Sequence, residues 1–296
     1  GVILEVGGGS GALAADLLRA LRDEPPEQYL LLELSGDLRE RQRQTITARV
    51  PELTGRVVWL DALPAEPLQG VLLANEVLDA LPVERFRIRG GLPVQLGVQI
   101  QHGGFAWAER PAPALLDSAV MALQAALGYS LPEGYTTEIG LRQSAWLKSL
   151  LGSVRRGLAL CIDYGGTRRE IYHPDRCHGT LVGHYRHRQI SDPFLLPGLQ
   201  DLTAWVDFSA AAQAGAAAGL KLAAYSTQAH ALLASGVLDD AQSGGPAAET
   251  SRLREVQEIA RLLLPGEMGE RFKLLALTRD FTPELPLTVR DLRGRL

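Results

Sequence analysis

Val2-Ile3-Leu4-Glu5-Val6-Gly7-Gly8-Gly9-Ser10-Gly11 is an apolar, β-branched run with one acid inside it and four glycines behind it. Such a run reads as a buried strand, and the glycines let the main chain turn sharply and come close to a ligand. The stretch Ala12-Leu13-Ala14-Ala15-Asp16-Leu17-Leu18 then begins an amphipathic helix, whose first N–H groups lack helical partners and face whatever sits at the turn. A loop that cradles nucleoside triphosphates needs Lys and then Ser or Thr after the last glycine. Ala12-Leu13 stands there instead, which excludes that class.

Two nucleotide-like ligands remain. Gly7, Gly9 and Ala12 satisfy the looser spacing of a dinucleotide turn, and Glu33 falls near the place of a ribose-binding acid. The pattern acid-x-Gly-x-Gly-x-Gly, which holds S-adenosyl-L-methionine in class I methyltransferases, is matched by Glu5, Gly7, Gly9 and Gly11. Glu5 favours the second ligand, because a carboxylate at a strand end attracts an ammonium group and repels a pyrophosphate. A plain strand-to-helix turn is the competing structural reading.

The chain has 296 residues, 46% of them hydrophobic, and a formal net charge of −4, enough for one large α/β domain carrying an insertion. No Lys/Arg-rich block occurs, so no nucleic-acid partner is expected. Only Cys161 and Cys177 are present, one in an apolar run and one in a polar loop, which suits a reducing compartment. No apolar run spans a bilayer, and no membrane insertion is expected. The expected location is the bacterial cytoplasm, or the mitochondrial matrix of a eukaryote. The chain starts inside its first strand, and a segment ahead of it is expected.

Strand and helix patterns alternate through the first third. After Val2 to Val6 come Tyr29 to Glu33, a helix over Asp37 to Val50 capped by Ser35, and the runs Val57 to Leu60 and Val71 to Ala74. This βαβ rhythm predicts a crossover-linked parallel sheet. After Pro82 the rhythm changes to alternating stretches at Val83 to Arg89, Val94 to Gln101 and Gly104 to Glu109, punctuated by glycine pairs that read as hairpin turns. Residues 83–137 are therefore expected to be an insertion, a small antiparallel meander followed by a helix over Ala114 to Leu127, between core halves at 1–82 and 138–296. A helix is expected over Glu138 to Arg155, a fifth core strand over Leu158 to Asp163, and a long loop over 165–200. Leu220 to Tyr225 and Arg271 to Leu277 are expected to form a terminal antiparallel pair.

The acids at strand ends carry the chemical reading. Glu33 ends the second strand, where a carboxylate can accept from both hydroxyls of a ribose, and Asp61 ends the third, where it can accept from an adenine amino group. The plainer alternative is a solvated strand-end acid for Glu33 and a helix or turn cap for Asp61. Asn75 and Glu76 stand at the carboxyl end of the fourth strand, the edge where ligands of open α/β sheets sit. A helical turn would bring Glu76 and Asp79 onto one face, where two carboxylates could grip a guanidinium and help remove its proton. Asp79 capping a short turn before Pro82 is the plainer alternative. Asp163-Tyr164-Gly165-Gly166 brings a further acid to the same edge. His173, Cys177, His178, His184 and His187 crowd one loop, but their spacing fits no zinc pattern and arginines intrude among them, so no metal is expected.

Several blocks in this order resemble the MidA-like methyltransferases. They are Glu5 to Gly11, Leu32-Glu33-Leu34-Ser35 with Leu38-Arg39 and Gln42, Ala74-Asn75-Glu76 with Asp79-Ala80-Leu81-Pro82, Glu138 and Trp146, and Ile162-Asp163-Tyr164-Gly165. Gly179-Thr180-Leu181, Asp192-Pro193, Pro197-Gly198, Asp201 to Ala204, Val206 to Ser209, Thr227-Gln228, Met268-Gly269 and Phe272-Lys273 continue them nearly to the end. The resemblance implies a Rossmann-like class I fold, with a mostly parallel seven-stranded sheet, an antiparallel last strand and a small inserted α/β subdomain. It also implies S-adenosyl-L-methionine as cofactor and a protein arginine as acceptor, such as one on a core subunit of respiratory complex I, and a segment ahead of the first strand. On this reading Glu5, Gly7, Gly9, Gly11, Glu33, Asp61 and Asn75 would hold the cofactor, and Glu76, Asp79 and Asp163 would orient the acceptor. Two other functions compete. One is a noncatalytic assembly or chaperone-like binder that keeps the fold, and the other is a nicotinamide-dependent oxidoreductase.

Overall fold

The computed structural model describes residues 1–186, 188–238, 249–287 and 290–296. The chain divides into two compact units, one of residues 1–77, 147–163 and 212–295, the other of residues 78–146 and 164–211 with residue 296.

The first unit is built on the opening strand. β1 (Val2–Val6) pairs in parallel with β2 (Gln28–Leu32) on one side and β4 (Leu68–Asn75) on the other, and β2 pairs in parallel with β3 (Val57–Leu60). The chain thus runs outward from β1 to β3 and then returns to the far side of β1, so the carboxyl ends of β1 and β4 flank the point where the strand order reverses. Ligands of open α/β sheets bind at such a point. Two helices pack on one face because their apolar residues fall on one side: Ala14, Ala15 and Leu18 of α1 (Ala12–Ala20) and Ile46 of α2 (Gly36–Arg49) join Tyr29, Leu31 and Val57 in one core. Ser35 caps α2 by accepting from the Leu38 N–H at 3.3 Å.

On the other side of β4 lies β9 (Val154–Gly166), again parallel, which makes five parallel strands. β14 (Lys221–Thr227) and β15 (Phe272–Arg279) pair antiparallel, and the sheet order is β14-β15-β9-β4-β1-β2-β3. The expected seven-stranded class I arrangement is present. A second apolar core gathers Leu158, Ala224, Leu274 and Ala276 from these later strands with Ala231 of α7 (Gln228–Ala234). α8 (Glu249–Leu263) precedes β15, and no helix of the described residues is long and apolar enough to cross a membrane.

The second unit holds a four-stranded antiparallel sheet in the order β7-β6-β5-β8, made of β5 (Glu84–Arg89), β6 (Leu92–Gln101), β7 (Gly104–Pro111) and β8 (Thr136–Ile139). α3 (Ala114–Leu127) buries Leu116, Val120, Leu123 and Leu127 against Phe86, Ile88 and Tyr135. The helix expected over Glu138 to Arg155 is present only as α4 (Gln143–Gly152): Glu138 and Ile139 end β8, which pairs with β5 in the register Arg85↔Glu138, and Val154 and Arg155 begin β9. The stretch 165–200, read as a loop, carries the helical turn α5 (Arg168–Ile171) and the strands β10 (Val182–Tyr185) and β11 (Arg188–Ile190), and β10 also pairs with β12 (Asp201–Thr203). β13 (Val206–Asp207) pairs with Gly165 and Gly166 and leads into α6 (Phe208–Ala217).

Candidate active site

The opening loop closes on itself through Gly11 N–H donating to the Gly8 carbonyl at 2.8 Å, while Gly7 N–H donates to Leu32 at 3.0 Å. Gly7, Gly9 and Gly11 have φ of 66°, 49° and 80°, in the left-handed region. Two of these positions show separate reasons for glycine. A Cβ at Gly11 would stand 2.9 Å from Cα of Gln42, so α2 could not lie where it does, whereas a Cβ at Gly9 would meet no described atom within 4 Å. Gly9 is thus the exposed-facing turn of the loop, and its demand for glycine comes from its backbone angle. Gly11 also begins α1 with no side-chain cap, which leaves the helix's first N–H groups available to a ligand.

Beneath the loop stands Glu5, only 3% exposed, accepting from the Tyr29 hydroxyl at 2.7 Å. Burial raises its carboxyl above the ordinary range, and the Tyr29 hydrogen bond acts in the opposite direction. Glu33, at the end of β2 and 8% exposed, accepts from Ser35 N–H at 2.9 Å on one oxygen and from Gln42 Nε2 at 3.1 Å on the other. Each oxygen therefore has one protein donor among the described residues and keeps acceptor capacity. Gln42 also donates to the Gly9 carbonyl at 3.1 Å and accepts from Trp59 Nε1 at 3.0 Å. Asp61 follows β3 and is exposed and ion-paired to Arg39, whose guanidinium also donates to the carbonyls of Glu33 at 2.6 Å and Leu60 at 2.8 Å. The structure thus brings Glu5, the glycines, Glu33 and Asp61 to one end of the sheet.

Register carries the site onward to β4. Val6 lies opposite Ala74, which sets Asn75 beside the start of the glycine loop. Glu76 follows with φ of 51°, a left-handed conformation uncommon for a residue with a side chain, and its N–H donates to the Ile162 carbonyl at 2.9 Å. Strained non-glycine backbone of this kind concentrates at functional sites. Asp163, fully buried, is the next residue of β9. It does not end its strand as expected, because β9 runs on to Gly166, where β13 pairs with it. Asp79 belongs to the second unit and is 6% exposed; burial raises its carboxyl, and the Tyr164 side chain works against the rise.

Sequence reading assigned no role to Tyr29, and named Gln42 and Arg39 only as parts of a family block. An aromatic inside a strand run and polar residues on an Arg-rich helix give no local signal of a shared polar network. Cys161 is buried and its thiol is pushed up to about 12 by burial, which makes it packing and not a nucleophile. Among the described residues no group of three His, Cys, Asp or Glu side chains could hold a metal ion; His187 lies outside the described residues.

Five parallel strands, an antiparallel pair at one edge and a glycine loop at the switch point define a class I methyltransferase fold. Residues 1–226 match the family described as "Putative S-adenosyl-L-methionine-dependent methyltransferase", and the chain belongs to this family, the MidA-like methyltransferases. S-adenosyl-L-methionine is the cofactor of that family. The chain is 39% identical, with a TM-score of 0.92, to a Burkholderia thailandensis protein solved bound to S-adenosyl-homocysteine, over 100% of this chain and 76% of that one. A native structure from the same organism matches with 40% identity and a TM-score of 0.92, over 100% of this chain and 78% of that one. Among curated proteins it is 25% identical over 238 residues to the mitochondrial protein arginine methyltransferase NDUFAF7 of Danio rerio, covering 70% of this chain. The chain spans about half the length of that relative, 52%.

Proposed function

We propose that this protein transfers a methyl group from S-adenosyl-L-methionine to an arginine nitrogen of a protein, such as a subunit of respiratory complex I. The observation that carries the acceptor side is Glu76, a carboxylate held in left-handed backbone at the carboxyl end of β4, beside the glycine loop. The likeness to a protein arginine methyltransferase supports the choice of acceptor.

The donor set fits the cofactor. The uncapped start of α1 and the turn at Gly9 suit its methionine end, and Glu33, with free lone pairs on both oxygens, suits a ribose diol. Asp61 would accept from the adenine amino group, and Asn75 would line the same cleft. Glu5 would hold the loop from below, since its burial and its Tyr29 partner keep it under the glycines. When bound, the cofactor supplies an electrophilic methyl group on a sulfonium.

The chain's own residues must then deal with a guanidinium that is protonated at neutral pH and a poor nucleophile in that form. Glu76 would accept two parallel hydrogen bonds from it, fix its plane, and take the proton lost as the N–C bond forms. Asp163, one residue beyond the carbonyl that anchors the Glu76 N–H, would add negative charge to the acceptor side. The role of Asp79 is proposed from its place three residues after Glu76. Orientation of the acceptor supplies most of the acceleration. Glu76→Gln keeps the shape and removes the base, so methylation of an arginine-containing substrate, followed by mass spectrometry, should fall by roughly two to four orders of magnitude. S-adenosyl-homocysteine affinity should stay unchanged. Undiminished methylation would end the acceptor assignment, and a folded protein that binds the cofactor but modifies no protein would favour the noncatalytic binder.

A further inference from the structure

Gln42 is fully buried in α2, and its amide is used on every side. Its two N–H groups go to the Gly9 carbonyl and to Glu33, both at 3.1 Å, and its carbonyl accepts from Trp59 Nε1 at 3.0 Å. Only one orientation of the amide satisfies these partners. Turned over, its oxygen would face two acceptors and its NH2 would face the indole N–H. The main chain at Gln42 is fixed as well, since a Cβ on Gly11 would come within 2.9 Å of its Cα. A neutral side chain thus ties the outward turn of the glycine loop to the carboxylate at the end of β2, and uses one acceptor position of that carboxylate without neutralising it.

We propose that Gln42 is a positioning residue that sets the spacing between the Gly9 turn and the Glu33 carboxylate, so that both meet the two ends of the cofactor together. This rests on the cofactor reading above. Gln42 acts through Gly9 and Glu33. A glutamine that only stabilised the fold would change stability and leave the cofactor affinity of the folded protein alone.

The test is calorimetric titration of S-adenosyl-homocysteine into the wild type, Gln42→Leu, Glu33→Ala and the double variant, with circular dichroism to verify folding. Gln42→Leu leaves the Gly9 carbonyl, the Glu33 carboxylate and the Trp59 indole without this partner and should weaken binding about tenfold or more. The double variant should lose less than the product of the two single losses, because the residues act through one another. In turnover the KM for S-adenosyl-L-methionine should rise while kcat stays within about threefold, the sign of lost uniform binding. Independent, multiplying losses, or unchanged affinity in folded Gln42→Leu, overturn the proposal. A wild type that does not bind S-adenosyl-homocysteine overturns the cofactor reading itself. If Gln42→Leu does not fold, Gln42→Asn decides: one methylene shorter, its amide cannot reach both Gly9 and Glu33, so binding should weaken by about threefold or more, the scale of one neutral hydrogen bond, and unchanged affinity overturns the proposal.

Discussion

Two buried carboxylates, Glu33 in the first unit and Glu138 in the second, are held in opposite ways. Glu138 is 5% exposed: one oxygen accepts from Thr180 N–H at 2.7 Å, and the other faces the Arg85 guanidinium in an ion pair at 3.2 Å. A Cβ on Gly179 would stand 2.4 Å from one of its oxygens, so residue 179 has room for no side chain beside the carboxylate. Arg85 in turn stacks on Trp107 at 4.6 Å and donates to the His178 carbonyl at 3.2 Å. Glu33 is nearly as buried but has only neutral donors, one on each oxygen. A carboxylate set against a cation builds structure, here by pinning residues 178–180 to β5 and β8. One that meets only neutral donors, a single one on each oxygen, is prepared for a ligand.

The largest effect expected from this contrast lies in the second unit. Glu138→Leu leaves the half-buried Arg85 without its counter-charge and should destabilise the protein by about 3–5 kcal/mol in urea unfolding. Arg85→Met added to it should recover part of that loss. A loss under about 1 kcal/mol would mean that the pair behaves as a surface ion pair and that the contrast with Glu33 is false.

Glu5 sharpens the comparison from the other side, because it is as buried as Glu138 and has a hydroxyl where Glu138 has a cation. Burial raises its carboxyl above the ordinary value of 4.5. The stability that Glu5 contributes is therefore fully present below about pH 4.5 and is lost as pH rises through its folded value. Glu5→Gln keeps an acceptor for Tyr29 and removes the titration. The variant should gain on the wild type as pH rises above about 4.5 in paired urea titrations. A difference that does not change with pH would show that Glu5 is not desolvated.

Much of this was legible in the chain itself. Near-continuous apolar runs at Val2 to Val6 and Tyr29 to Leu32 mark strands buried on both faces, and the acids and glycines that follow them fall at the carboxyl ends of those strands. The run Val71 to Ala74 marks β4 in the same way, and β4 ends at Asn75 with Glu76 just after it. The left-handed backbone of Glu76 was not, since no neighbouring residue demands it. Gln42 gave no signal as a hub, because α2 carries few apolar residues and its interior side shows only when β2 and β3 are packed beneath it. β8 was misread as helix because its pairing with β5 joins residues about fifty apart in sequence, while the apolar spacing of Leu147, Leu150 and Leu151 nearby is truly helical. Asp163 looked like a strand end because the glycines after it resemble a turn. They are instead where β13 joins.

The central claim is that the glycine loop and Glu33 together form the cofactor site, and calorimetry of S-adenosyl-homocysteine with the wild type and Glu33→Ala tests it most directly. The account predicts saturable one-to-one binding by the wild type and at least a tenfold loss in the variant, about 1.4 kcal/mol or more. Equal affinities in two folded proteins would contradict it.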